Sequence, residues 1–320
     1  LVGVALYALA SCAAAAAPSL PLLVAMRFLQ GLAGSAGIAI ARAVVRDLFE
    51  GREVARVFSL LMLVTGVAPI AAPVIGGQIL RLAPWRAVFL VLAAVGALIL
   101  LGVALRLPES LPADRRRSGG VREAGRVFRE RAASREFMGY ALTLALTMTV
   151  LFAYISASPF VLQGEYGLTA QQFSLVFAAN SVAIVAGSQL SARLARRVPP
   201  HRVLVAGLTL CLLAAALLLF AAAAGLGLAA FLAPLALAIG SLGLVIPNAS
   251  ALAVLPHPRS AGAASAQLGA LQFAVGATVA PLTGLALGPP AVAMALVIAA
   301  AAASGFVACA ILTGLRTERE

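Results

Sequence analysis

Long apolar runs alternate with short polar gaps from one end of the chain to the other. A helix needs about 17–25 predominantly apolar residues to cross a bilayer, and runs of that length and purity do not suit a soluble core. The pattern predicts ten transmembrane helices, over residues 1–16, 21–45, 54–80, 86–106, 137–162, 170–193, 201–223, 228–251, 261–287 and 290–314. One gap is much longer than the rest. It separates a first helical bundle at 1–106 from a second at 137–320, with a basic linker at 107–136 between them. The predicted fold class is an all-α polytopic membrane protein.

Charge gives these runs an orientation. The 23 basic residues are all arginine, set against 11 acidic ones, for a net charge of +12. Positively charged loops stay in the cytoplasm during insertion. The gaps after the second, fourth, sixth and eighth runs, counted with the run ends that border them, together with the tail hold every arginine except Arg27, Arg81 and Arg86. Both ends of the chain are therefore expected in the cytoplasm. The same distribution argues against a nucleic-acid partner, because the charges interrupt lipid-spanning helices and do not line one soluble face. The stretch from Arg115 to Arg135 reads either as a solvated linker or as a helix lying on anionic headgroups, with Val121, Ala124, Phe128 and Ala132 on its apolar face.

Few residues carry reactive chemistry. Cys12, Cys211 and Cys309 are isolated inside apolar runs, where they are expected to pack and not to form disulfides or a metal cluster. His201 and His257 sit at loop edges without partners at ligand spacing. A chain without lysine has no phosphate-binding Gly-Lys-Ser/Thr loop, and neither a Gly-x-Ser-x-Gly elbow nor a His-Glu-x-x-His helix is present. A membrane-embedded enzyme would cluster His, Asp or Glu at membrane depth, and the sequence offers no such cluster. An enzyme is not expected.

Polar residues inside the runs are the candidates for function. Arg27 is the charge set deepest within a run, followed by Gln30 and Gly31. A cation there is costly and must face a partner or water; the alternative is a snorkelling side chain near the loop at Pro18–Pro21. The third run contains Gly66, Pro69, Pro73, Gly76 and Gly77. Ala68, Ala72 and Gly76 recur every four residues, giving a smooth face for a close neighbour, while the prolines remove backbone donors and bend the helix. On the fifth run Tyr140, Thr143, Thr147, Tyr154 and Ser158 fall within an arc of about 60° at 100° per residue. Such a stripe either lines a substrate cavity, the preferred reading, or hydrogen-bonds to neighbouring helices. Phe152, Phe160, Asn180, Asn248 and Gln272 are further candidates for lining or gating.

These segments resemble a known family. RFLQGLAGSAG from Arg27 to Gly37 is similar to the arginine-containing fourth-helix motif of the major facilitator superfamily. The third run resembles the antiporter motif of its drug exporters, with Ala68 and Ala72 in place of two glycines. The stretch Ser188 to Arg197 resembles the superfamily's cytoplasmic loop motif; it keeps Arg193, Arg196 and Arg197 but has Ala192 at the acidic position. Together with ARAVVRDLF, PWRAVF, SASPFV and AGAASA, the chain looks like a Bcr/CflA-type drug-resistance transporter.

The resemblance implies two bundles of six helices that rock to give alternating access, so that two helices would precede Leu1 and leave a 4 + 6 layout. It implies a monomeric exporter of small hydrophobic drug-like molecules in a bacterial inner membrane. A proton gradient would supply the energy, with no cofactor, and Arg27, Gln30 and Gly31 would serve coupling. The central cavity would be lined by the second, fifth and eighth runs. None of the acidic residues sits at mid-run, and the resemblance places the proton carrier on a helix before Leu1. The alternatives are a sugar or amino-acid carrier of the same fold, or an inactive fragment of a transporter.

Overall fold

A backbone surrounded by lipid must satisfy its own hydrogen bonds, and helices do so within one segment. The computed structural model describes residues 1–48, 53, 57, 68, 71–106, 134–256, 261–279, 284 and 288–313. Its helices are α1 (Val2–Ala15), α2 (Leu20–Leu48), α3 (described over 71–82), α4 (Arg86–Arg106) and α5 (Arg135–Ser158). There follow α6 (Ala170–Leu194), α7 (Pro200–Ala223), α8 (Gly227–Val254), α9 (Ala261–Val279) and α10 (Pro290–Leu312). Among the described residues six helical stretches are long and apolar enough to cross a membrane: α4, α5 with its extension to Glu165, α6, α7, α8 and α10. Val2–Ala15 and Leu20–Gly34 are shorter apolar helices. Most of the linker expected at 107–136 lies outside the described residues.

The chain divides into two compact units, Leu1–Ser118 and Gly119–Glu320. In the first, α1 packs against both α2 and α4. The contact is close because glycines receive an aromatic ring: a Cβ added at Gly96 would lie 3.1 Å from the Tyr7 ring, and one at Gly34 would lie 3.7 Å from it. Arg86 holds the end of α1 by donating to the Ala17 carbonyl at 3.2 Å, with its guanidinium 4.5 Å from the centre of the Trp85 ring.

In the second unit α5 packs on α8, α9 and α10, and α8 in turn packs on α6 and α7. Lipid provides no hydrophobic drive for helices to associate, so close packing of small residues must supply it. Gly187, Gly240 and Gly243 let α6 and α8 meet backbone to backbone. Outward positions such as Leu213, Leu217 and Phe220 of α7 are large, apolar and exposed, as a lipid-facing surface requires.

The helix ends follow local chemistry. Ser134 caps α5 by accepting from the Phe137 amide, and Thr169 and Gln172 form a reciprocal capping box at the start of α6. The fifth run was expected to end at 162, yet helical structure continues to Glu165 as a π-helix over Pro159–Glu165. Pro159 has no N–H to give the preceding turn, so the α pattern cannot pass through it unchanged. Gly167, at φ 71°, then turns the chain in a conformation that side chains disfavour. Glu165 reaches across to α10, where its carboxylate accepts from the Ala291 amide at 2.8 Å.

Candidate functional site

The polar residues of α2 form an ordered chain in the first unit. The Arg27 guanidinium donates to Gln30 Oε1 at 2.5 Å and stands 5.6 Å from the centre of the Phe89 ring on α4. Gln30 Nε2 donates to Ser11 Oγ on α1 at 2.6 Å, and Ser11 donates to the Tyr7 carbonyl at 2.7 Å. Arg27 is exposed, Gln30 is 3% exposed and Ser11 is fully buried. Arg27 thus shares a hydrogen bond with Gln30, one turn along the same helix. Ser11 was missed, because nothing in the sequence relates a serine on one helix to a glutamine 19 residues away on another. Gly31 has open space where a Cβ would stand.

The stripe on α5 is buried along its whole length. Tyr140, Thr143, Thr147, Tyr154 and Ser158 are all 6% exposed or less, inside the second unit. Thr143 and Thr147 spend their hydroxyls on the carbonyls of Gly139 and Thr143, four residues back, at 2.8 and 2.7 Å. Thr147 Oγ1 would stand 2.9 Å from a Cβ at Gly305 of α10. The Tyr154 hydroxyl accepts from Asn180 Nδ2 of α6 at 2.9 Å, and its ring stacks on Phe177 at 5.1 Å. Tyr140 Oη lies 3.3 Å from His201 Nδ1 at the start of α7, and His201 Nε2 is buried without a hydrogen-bond partner. The stripe is thus buried, with Tyr154 and Tyr140 reaching α6 and α7, the two threonines bonded within their own helix, and Ser158 Oγ buried without a hydrogen-bond partner.

The further candidates divide by role. Asn248 Nδ2 donates to Ser191 Oγ of α6 at 2.6 Å and to the Leu244 carbonyl at 2.7 Å, tying α8 to α6. Phe152 meets Phe273 of α9 edge-on at 5.7 Å and covers Gly276. Gln272 is half-buried. Phe160 is 70% exposed, on the rim of an open depression of about 580 Å³ lined also by Pro159, Gln163, Gly164, Glu165 and Pro290.

Of the third-run motif, Gly66 and Pro69 lie outside the described residues; Pro73 and Gly76 are half-buried on α3 and Gly77 is buried. Arg193, Arg196 and Arg197 are exposed at the end of α6, around an open depression of about 620 Å³ shared with Gln189, Ala192 and Leu194. His257 lies outside the described residues. Among the described residues no group of three His, Cys, Asp or Glu side chains is arranged to hold a metal ion.

Comparison with known proteins places this architecture. The family model described as Major Facilitator Superfamily matches residues 1–281. The uncharacterized MFS-type transporter YdgK of Bacillus subtilis (strain 168) is 38% identical over 287 residues, covering 89% of this chain and 71% of that protein. The bicyclomycin resistance protein homolog of Haemophilus influenzae is 30% identical over 282 residues, covering 88% of this chain and 71% of its own. Among solved structures, a bacterial homolog of the human lysosomal transporter Spinster superposes with a TM-score of 0.75 at 17% identity, covering 100% of this chain and 84% of that one.

Proposed function

This chain belongs to the Major Facilitator Superfamily and is a multi-pass membrane transporter, and from that premise we propose that it exports hydrophobic, drug-like molecules in exchange for protons. The observation that carries the coupling half is the engaged guanidinium of Arg27 inside an otherwise apolar stretch of α2. A guanidinium is a permanent cation with donors only. A carboxylate beside it is held ionised, and separating the two lets the carboxylate take up a proton. A transporter that alternately opens to each side uses such a pair to link proton entry to drug exit, with Gln30 and Gly31 completing the coupling segment.

The substrate half is supported by the likeness to a bicyclomycin resistance homolog and to the multidrug resistance protein MdtL of Klebsiella pneumoniae, 28% identical over 179 residues that cover 56% of this chain and 45% of that protein. The smooth third-run face around Pro73, Gly76 and Gly77 serves as the flexing surface, and Arg193, Arg196 and Arg197 form the cytoplasmic loop motif. The protein works as a monomer in the bacterial inner membrane, with both chain ends in the cytoplasm and the proton gradient as its only energy source.

The test is uptake of ethidium and bicyclomycin into everted membrane vesicles that carry the protein. Uptake is expected to need the gradient and to be abolished by Arg27→Ala. Uptake that survives a protonophore rules out antiport. Gradient-driven transport of sugars or amino acids without drug transport makes the protein a metabolite carrier instead.

A further inference from the structure

We propose that Ser11 is the positioning residue of the coupling segment: it fixes the orientation of the Gln30 amide and, through it, the place of the Arg27 guanidinium. The proposal rests on the coupling role given above to Arg27. The argument is one of donors and acceptors. Ser11 has a single O–H, which it gives to the Tyr7 carbonyl at 2.7 Å. Its oxygen is left as an acceptor only. Arg27, at the other end, has donors only.

Gln30 stands between them with one face of each kind. Only one orientation satisfies both neighbours, with Nε2 toward Ser11 at 2.6 Å and Oε1 toward Arg27 at 2.5 Å. In the flipped amide Ser11 would have to take its hydrogen away from the Tyr7 carbonyl to meet the carbonyl oxygen, and an NH₂ would face a guanidinium. The second contact is repulsive, and the first costs the bond to α1. Ser11 is fully buried and Gln30 is 3% exposed, so water is not at hand to replace that bond.

The donor-to-acceptor chain runs in one direction, from Arg27 to Gln30 to Ser11 to the backbone of α1. Its anchor is firm, because the Tyr7 ring is packed against Gly34 of α2 and Gly96 of α4. A cation on α2 is thereby located from α1 through neutral groups. That leaves the guanidinium's remaining donors for the group whose protonation it controls.

The experiment uses everted vesicles carrying the protein as its gene encodes it, with ethidium as the probe. Two fluxes are compared: uptake driven by the proton gradient, and ethidium exchange with no gradient. Ser11→Ala is expected to lower driven uptake about two- to tenfold, the range set by one buried hydrogen bond, and to leave exchange and membrane abundance unchanged. Ser11→Thr, which keeps the hydroxyl, is expected to restore driven uptake, and Ser11→Ala is expected to cost nothing further in a Gln30→Ala background. If Ser11→Ala transports like the parent while Arg27→Ala does not, the positioning role is wrong and the coupling role stands. An equal loss of both fluxes makes Ser11 a packing residue and also overturns the proposal. Normal driven uptake by Arg27→Ala removes the coupling role itself.

Discussion

Single side chains in this protein show how a lipid-surrounded interior uses neutral polar groups. Tyr154 and Asn180 form one buried bond between α5 and α6, and Asn248 and Ser191 form another between α8 and α6. Tyr154→Phe leaves the Asn180 amide without its acceptor. The expected loss runs from about 0.6 kcal/mol, an average for interhelical bonds in membranes, to about 1–3 kcal/mol for a stranded buried group. Thermal unfolding of the purified protein in detergent checks this, and adding Asn180→Leu should recover part of the loss. Arg27 was legible at this scale because a charge in an apolar run is conspicuous on its own. Ser11 was not, since a hydroxyl among alanines gains meaning only from what another helix brings to it.

Whole helices depend on where glycine lies and how ends are closed. A Cβ at Gly243 would meet the backbone of Ile184 and Ser188 on α6, whereas one at Gly269 of α9 would meet open space. Gly243→Ala should therefore destabilise by about 1–3 kcal/mol as an overpacked contact. Gly269→Ala should be neutral or stabilise by up to about 1 kcal/mol through helix propensity. Comparing the two melting temperatures tests the α6–α8 crossing directly. The start of α10 has no side-chain cap of its own, and Glu165 supplies one from the end of the π-helix. Glu165→Ala should cost about 0.5–2 kcal/mol, as other lost caps do. Glu165→Gln, which keeps an acceptor but loses the charge at a helix N-terminus, should cost less. Equal losses for both would mean that the charge, not the hydrogen bond, holds α10.

At the scale of the whole molecule, arginine distribution and family membership make a topology that can be probed in cells. A phosphatase active only outside the cytoplasm should be inactive when fused after Glu320 and active when inserted between Leu82 and Pro84, beside Arg81 and Arg86. The reverse pattern would overturn the orientation read from the arginines. The all-helical major facilitator architecture was legible because spans of apolar residues are dictated by bilayer thickness, which acts on each segment separately. The extension of α5 to Glu165 was not, because a proline near a helix end permits either a stop or a widened turn, and the neighbouring α10 favours the second.

Run length made the chain legible as a multi-pass helical membrane protein, and short motifs carried its resemblance to the major facilitator superfamily, because both are local properties that survive without knowledge of the fold. Tertiary structure alone decided who meets whom. It put Ser11 behind Gln30, and it paired Tyr154 of the α5 stripe with Asn180 of α6. The reason is that a helical face is one-dimensional information. Hydrogen bonds between helices depend on crossing points, and these are set by small residues on two partners at once.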